Sequence, residues 1–182
     1  MSSFAKKQFL GNTYEFHHLA PSSHTVDLDA AGTARATLHV TYSIHCFTET
    51  FDSATHQEHH RYTHAGETRA FNLERYNCSI YLPSIVGGMA RAKVYRALQN
   101  NYTYVALVPI NGQQNPYSMF FTLKEVASPG TPTVKMYVQS AYLKPLTVAA
   151  TAQSWRFGSL LGQVSGVFES ASKKPRPKKK AP

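Results

Sequence analysis

Residues 35–47 are Arg-Ala-Thr-Leu-His-Val-Thr-Tyr-Ser-Ile-His-Cys-Phe. From Thr37 to Cys46 apolar side chains alternate with Thr, Ser and His, and β-branched and aromatic residues are frequent. A period of two places successive side chains on opposite faces of a strand. The pattern therefore predicts a half-buried β-strand over Arg35–Phe47, with His39 and His45 on its polar face.

Three runs further along the chain also have strand composition, and turn residues separate them. Stretches 111–116 and 128–132 are rich in Asn, Gly, Pro and Ser, which favour turns. Short turns between neighbouring strands predict an antiparallel meander. Its strands are Tyr102–Ile110, Tyr117–Val126 and Thr133–Leu143.

Upstream of residue 35 we expect one more strand, at Tyr14–Leu19, followed by a loop at Pro21–Gly32. Apolar periodicity disappears over Thr48–Thr68, so this polar stretch is expected to be a long loop. Over residues 70–97 the apolar side chains recur at spacings closer to those of a helix, which predicts one or two helices, broken at Pro83.

Apolar residues recur at three and four over Phe157–Phe168, which predicts a C-terminal helix. Gly158, Gly162 and Gly166 form a second stripe that is typical of close packing. The fold class that follows is α+β: an antiparallel β-meander with N-terminal strands, a helical middle segment and a C-terminal helix. We expect a single domain over 1–170 and a disordered basic tail over 171–182.

Charge is distributed unevenly along the 182 residues, whose net charge is +9. Residues 1–74 carry five basic and eight acidic side chains, whereas 75–168 carry eight basic and one acidic. All nine histidines lie between His17 and His64. The basic excess favours an anionic partner.

Two cysteines and the lack of an apolar leader suggest a reducing compartment, so we expect the cytoplasm, and no transmembrane segment.

The segment His56-Gln-Glu-His-His-Arg-Tyr-Thr-His64 holds the densest group of acid–base side chains. Three interpretations are open. On a helix, His56, His60 and His64 would share one face and offer imidazoles to a metal ion, although the His-Glu-x-x-His order is absent. The histidines can also be ordinary side chains of a surface loop. The third interpretation is acid–base chemistry on RNA.

RNA cleavage through the 2′-hydroxyl needs a base, an acid and cations that stabilise the phosphate, and it needs no cofactor or metal ion. His59, His60 and Arg61 are the candidates for proton transfer and charge stabilisation. Lysines on a sheet face and in the tail would hold the phosphate backbone. These nucleic-acid-binding candidates are Lys124, Lys135, Lys144, Lys173, Lys174, Arg176, Lys178, Lys179 and Lys180.

A strand-rich start, a helical middle and a meander ending in Val138-Gln-Ser-Ala-Tyr142 together resemble small bacterial ribonucleases and RNase toxins of the barnase, colicin and RelE type. The resemblance covers 70–143, and its local match is Ser140-Ala141-Tyr142. It implies an endoribonuclease with Ser140 and Tyr142 beside the substrate, and a protein inhibitor or antitoxin as a partner. Alternatively, this is a plain core strand in which Met136, Val138, Ser140 and Tyr142 share one face.

The sequence thus predicts a metal-independent endoribonuclease, either a toxin or a phage-associated effector, with RNA as its partner. The alternative is a non-catalytic nucleic-acid-binding or structural assembly protein with a basic C-terminal arm.

Overall fold

The computed structural model describes residues 4–98, 101–110, 112–145 and 152–168. Within these residues the fold is α+β, as predicted. Its helices are α1 (Leu73–Ser79), α2 (Leu82–Gly88) and α3 (Phe157–Val164). Its strands are β1 (Lys7–Phe9), β2 (Asn12–Tyr14), β3 (Ser22–Asp27), β4 (Arg35–Tyr42), β5 (Thr48–Glu49), β6 (Arg61–His64), β7 (Glu67–Phe71), β8 (Lys93–Leu98), β9 (Asn101–Ile110), β10 (Gln113–Val126), β11 (Thr133–Leu143) and β12 (Ser154–Arg156).

A seven-stranded sheet in the order β12-β8-β9-β10-β11-β4-β3 forms the body. All of its pairings are antiparallel except β11 with β4. Neighbours β8, β9, β10 and β11 follow one another along the chain, so the predicted meander is confirmed. A smaller sheet in the order β5-β7-β6 and the β1–β2 hairpin lie beside it.

Helix α1 packs against β11, and α3 packs against β10. The Asn72 side chain caps α1 by accepting a hydrogen bond from the Arg75 backbone N–H at 2.9 Å. This capping bond fixes where the helix begins and thus where the Arg75 side chain emerges. Buried side chains of β4, β10, β11 and the helices form one core.

A β-bulge in β11 changes which residues share a face. Phe121 pairs with Val138 but Phe120 pairs with Ser140, so Gln139 is an extra residue in β11. The prediction that Val138 and Ser140 point the same way is therefore wrong. Side chains of Met136 and Val138 are buried in the core.

The same bulge brings Ser140 and Tyr142 to the face that carries Lys135 and Tyr137, because their partners in β10 alternate without interruption. We call this the outer face of the sheet. Rings of Phe120 and Tyr142 stack on it with centroids 5.6 Å apart. An insertion of one residue thus moves a whole set of side chains from one face to the other.

Four of the predicted boundaries are wrong. Residues 17–19 form a 3-10 turn instead of continuing a strand, and β3 lies within the expected loop at 21–32. The pairing of β3 with β4 makes this polar stretch a strand, although Val26 is its one buried side chain. The two predicted helices are present, but the break between them lies at residues 80–81, and Pro83 lies in the first turn of α2, where a missing N–H costs nothing. Residues 93–98 form β8 instead of continuing a helix.

The expected loop at 48–68 contains β5, a 3-10 turn at Glu58–His60, β6 and the start of β7. Ala65 and Gly66 form the two-residue turn of the β6–β7 hairpin, with φ of 49° and 84°. Alanine rarely adopts the left-handed backbone conformation, so the residues of this turn do not indicate a hairpin in the sequence.

The predicted C-terminal helix is confirmed as α3, and its glycines have distinct roles. A Cβ on Gly158 would lie 2.8 Å from the backbone oxygen of Asp27, so α3 packs directly on main chain there. Gly162 accommodates the ring of Phe168, and Gly166, with φ of 73°, follows the helix end. No helix of the described ranges is long and apolar enough to cross a membrane. The predicted tail at 171–182 lies outside those ranges.

Candidate functional site

A small cavity of about 150 Å³ lies where β5, α1 and the end of β11 meet. Polar side chains surround most of it, and we call it the Glu49 pocket. It is lined by Glu49, Asn72, Glu74, Arg75, Cys78, Tyr142 and Leu143.

Hydrogen bonds fix the orientation of the carboxylate in this pocket. His56 Nε2 lies 3.1 Å from Glu49 Oε1, while His56 Nδ1 accepts a hydrogen bond from the Asp52 backbone N–H at 3.0 Å. In the neutral ring the proton must therefore be on Nε2, which donates to Glu49. Both nitrogens of His56 are thus occupied, so this histidine positions the carboxylate.

Burial raises the pKa of Glu49, but hydrogen bonds from Asn72 and His56 and the charge of Arg75 outweigh it. The pKa of Glu49 therefore lies below its ordinary value, and the carboxylate is ionised at neutral pH. An ionised, hydrogen-bonded carboxylate beside a cavity is able to accept a proton from a bound hydroxyl group.

The Arg75 guanidinium supplies a cation to the same pocket. Its Nη1 donates to the Thr48 carbonyl at 2.9 Å, and its central carbon lies 5.1 Å from the Tyr142 ring centroid. Nη1 also donates to the His45 carbonyl at 3.5 Å, so three of the five N–H donors of the guanidinium, those on Nε and Nη2, are left for a ligand. The pocket thus combines a carboxylate, a cation and an aromatic ring.

A second network lies on the other side of Thr48. Arg69 Nε donates to Thr48 Oγ1 at 2.9 Å, and Arg69 also pairs with Glu67 at 3.2 Å. His45 Nε2 contacts the same Glu67 carboxylate at 2.9 Å. The short strand β5 is therefore flanked by two arginines and two histidine–carboxylate pairs.

Both predicted catalytic histidines lie in the 3-10 turn at Glu58–His60, beside His56. Rings of His59 and His60 are 4.2 Å apart, and the His56 ring lies 5.3 Å from that of His60. Burial, followed by the charge of His59, lowers the pKa of His60. Arg61 instead pairs with Glu58 at 2.7 Å, which occupies its Nε.

Tyr142 lines the Glu49 pocket, and Ser140 lies on the same outer face, opposite Phe120. Lys124 and Lys135 pair with each other across β10 and β11. Lys135 pairs with Lys124 and Tyr142 pairs with Ser118, so six residues of β10 separate the two positions, which is about 20 Å at 3.3 Å per residue. These lysines are therefore far from the pocket.

Lys144 is exposed just after β11, and its carbonyl accepts a hydrogen bond from Ser118. The six tail cations lie outside the described residues. They are Lys173, Lys174, Arg176, Lys178, Lys179 and Lys180.

The structure does not assemble the three histidines proposed for a metal site. His56 and His60 are neighbours, but the His64 ring packs against Phe4 with centroids 5.0 Å apart. Over the described ranges, no group of three or more His, Cys, Asp or Glu side chains is placed to hold a metal ion.

Glu49, Asn72 and Arg75 were not predicted as site residues from the sequence. Asn72 before a helical stretch is a typical cap, and this signal could have located Arg75. Glu49 has no comparable signal, because its role depends on pairing between β5 and β7.

The chain belongs to the YjaZ family, whose sequence model matches residues 6–165. This finding corrects the resemblance to barnase-, colicin- and RelE-type ribonucleases, which rested on three residues of β11. No curated protein and no solved structure matches the chain. The family match covers the described body and ends before the basic tail.

Proposed function

We propose that this protein is a metal-independent endoribonuclease whose reacting centre is the Glu49 pocket. The observation that supports the proposal is the combination of an ionised carboxylate, an arginine and a tyrosine around one cavity. Cleavage through a 2′-hydroxyl requires a base that removes the hydroxyl proton and a cation that stabilises the charge on the phosphate.

In the proposed reaction Glu49 removes the proton of the 2′-hydroxyl, and the 2′-oxygen attacks phosphorus. The bond from phosphorus to the 5′-oxygen breaks, and an acid protonates that oxygen. Arg75 stabilises the charge on the phosphate oxygens. His60 is our candidate acid, because its ring is 5.3 Å from that of His56, which itself contacts Glu49.

The test is cleavage of a labelled RNA in EDTA between pH 5 and 8. Glu49→Gln keeps the size of the side chain and removes the base, so the rate is expected to fall by roughly 10²–10⁴-fold. Glu15→Gln is the matched control, because Glu15 forms an exposed pair with His17 at 2.8 Å. Intact RNA with the unmodified protein would refute the proposal, and so would equal activity of the two variants.

A second candidate function is non-catalytic binding of nucleic acid, as a binding or assembly protein. It is favoured by Lys124 and Lys135, which lie opposite each other on an exposed part of the sheet. It predicts salt-sensitive binding without turnover. An RNA that is bound but never cut would favour this function over the first.

We also propose that the protein acts in the cytoplasm, where RNA is present and where its two cysteines would stay reduced. Cys46 and Cys78 are free and buried. A protein inhibitor or antitoxin stays a prediction from the sequence.

A further inference from the structure

A row of basic side chains crosses the outer face of the large sheet. Lys124 in β10 pairs with Lys135 in β11, and Lys135 pairs with His39 in β4. Both lysines are exposed. With neighbouring strands about 4.8 Å apart, the three groups span roughly 10 Å. We call them the basic row.

Like charges directly opposite each other on a sheet are destabilising, so this arrangement works against stability. Over the described residues, neither lysine takes part in an ion pair. The adjacent Glu125 points away, since its Oε1 lies 3.9 Å from the Cβ position of Gly166 beyond α3. The two lysines therefore keep their positive charge for an external anion.

The nearest carboxylate on the outer face of β3 is already neutralised. Asp27 pairs with Arg35 at 2.9 Å and lies four residues along β3 from Ser23, the neighbour of His39. Four residues of strand are about 13 Å. The basic row therefore has no carboxylate of β3 as its counter-charge and is complementary to an anionic partner.

An exposed aromatic ring lies next to the row. Tyr137 is 43% exposed and lies two residues from Lys135 on the same face. A ring on a flat sheet beside cations is suited to stack on a nucleic-acid base while the lysines contact the backbone. Bases in a duplex are already stacked on one another, so only a single strand presents a base to Tyr137.

We infer that the basic row and Tyr137 bind single-stranded RNA and that the strand runs along the outer face toward the Glu49 pocket. The inference rests on the proposed function for the kind of polymer and for the direction. The distance from Lys135 to Tyr142 is about 20 Å along the sheet, and the stacked rings of Phe120 and Tyr142 lie at the pocket end of this path.

The experiment measures fluorescence anisotropy of the full chain with a 12-nucleotide 2′-O-methyl RNA, single-stranded or annealed to its complement. The methyl group blocks the attacking 2′-oxygen, so binding is measured without cleavage. Each variant is titrated at several NaCl concentrations, and its melting temperature confirms folding.

The double variant Lys124→Gln/Lys135→Gln loses two phosphate contacts. For the single strand, the plot of log affinity against log salt concentration should therefore become less steep by about 1.4, at about 0.7 per lost contact. Arg91→Gln/Arg156→Gln removes the same charge at a separate cavity beside α3 and should change the slope much less. Tyr137→Ala should weaken single-strand binding about five- to tenfold and leave duplex binding unchanged.

Equal slopes for the two double variants would overturn the inference. So would an equal loss of single-strand and duplex binding in Tyr137→Ala. The two proposals can fail separately. If the variants bind with the expected pattern but the protein does not cleave ordinary RNA, only the proposed ribonuclease activity is refuted. If the protein cleaves RNA but its binding does not depend on the basic row, only the proposed binding surface is refuted.

Discussion

The hydroxyl group of Tyr117 is the basis of a prediction about stability. Tyr117 is 0% exposed, and its hydroxyl has no hydrogen-bond partner among the described residues. Burial raises the pKa of this group, so it stays a neutral phenol. An unsatisfied buried hydroxyl costs about 1–3 kcal/mol of stability.

Tyr117→Phe removes that hydroxyl and keeps the buried ring, so the free energy of unfolding should rise by about 1–3 kcal/mol. A chain of this length gains about 2–4 °C in melting temperature per kcal/mol, which predicts an increase of roughly 2–12 °C. Thermal unfolding followed by circular dichroism measures the change, and urea denaturation gives the free energy.

Tyr62→Phe is the matched control with the opposite expected sign. Tyr62 is also buried, but its hydroxyl donates to the Ala5 carbonyl at 2.9 Å. The same chemical change should therefore lower stability by about 0.5–1.5 kcal/mol. If Tyr117→Phe lowers the melting temperature as Tyr62→Phe does, the hydroxyl of Tyr117 is satisfied and the reasoning is wrong.

Three further outcomes follow from the structure. Gly158→Ala should destabilise by about 1–3 kcal/mol in urea denaturation, because its Cβ would lie 2.8 Å from a backbone oxygen; unchanged stability would contradict the packing of α3. Burial raises the pKa of Cys46 to about 12 and that of Cys78 to about 11, so neither should react with Ellman's reagent at pH 8 before denaturant is added. The rate of RNA cleavage should rise with pH as Glu49 ionises at its lowered pKa, and it should fall as His60 loses its proton at its own lowered pKa. The optimum of the rate should therefore lie below pH 6.5, and a rate still rising above pH 7 would exclude His60 as the acid.

The strongly periodic strands were predictable, and the polar ones were not. Boundaries of β11 were predicted to the residue, because its apolar side chains match the pleat of a buried strand. Residues 22–27 and 61–64 become strands only because neighbours supply their hydrogen bonds. Local patterns do not contain this information.

The candidate site was predictable only in part. Tyr142 was singled out only through the resemblance to ribonuclease toxins that the family match corrects, and the histidines at 56–60 through their density. Their relation to Glu49 and Arg75 depends on three segments that are distant in sequence and meet at β5. A carboxylate that is ordinary in the sequence becomes a candidate base only after folding places a histidine and an arginine beside it.

Composition and periodicity alone determined the α+β class, the meander, the C-terminal helix and the uneven charge, since each depends on residues close in sequence. Only the tertiary structure decided which face each side chain of β11 occupies, because one bulged residue reverses the alternation. It also decided that the acid–base groups gather at β5 while the basic row lies about 20 Å away along β11, because sheet order sets distances between segments far apart in the chain.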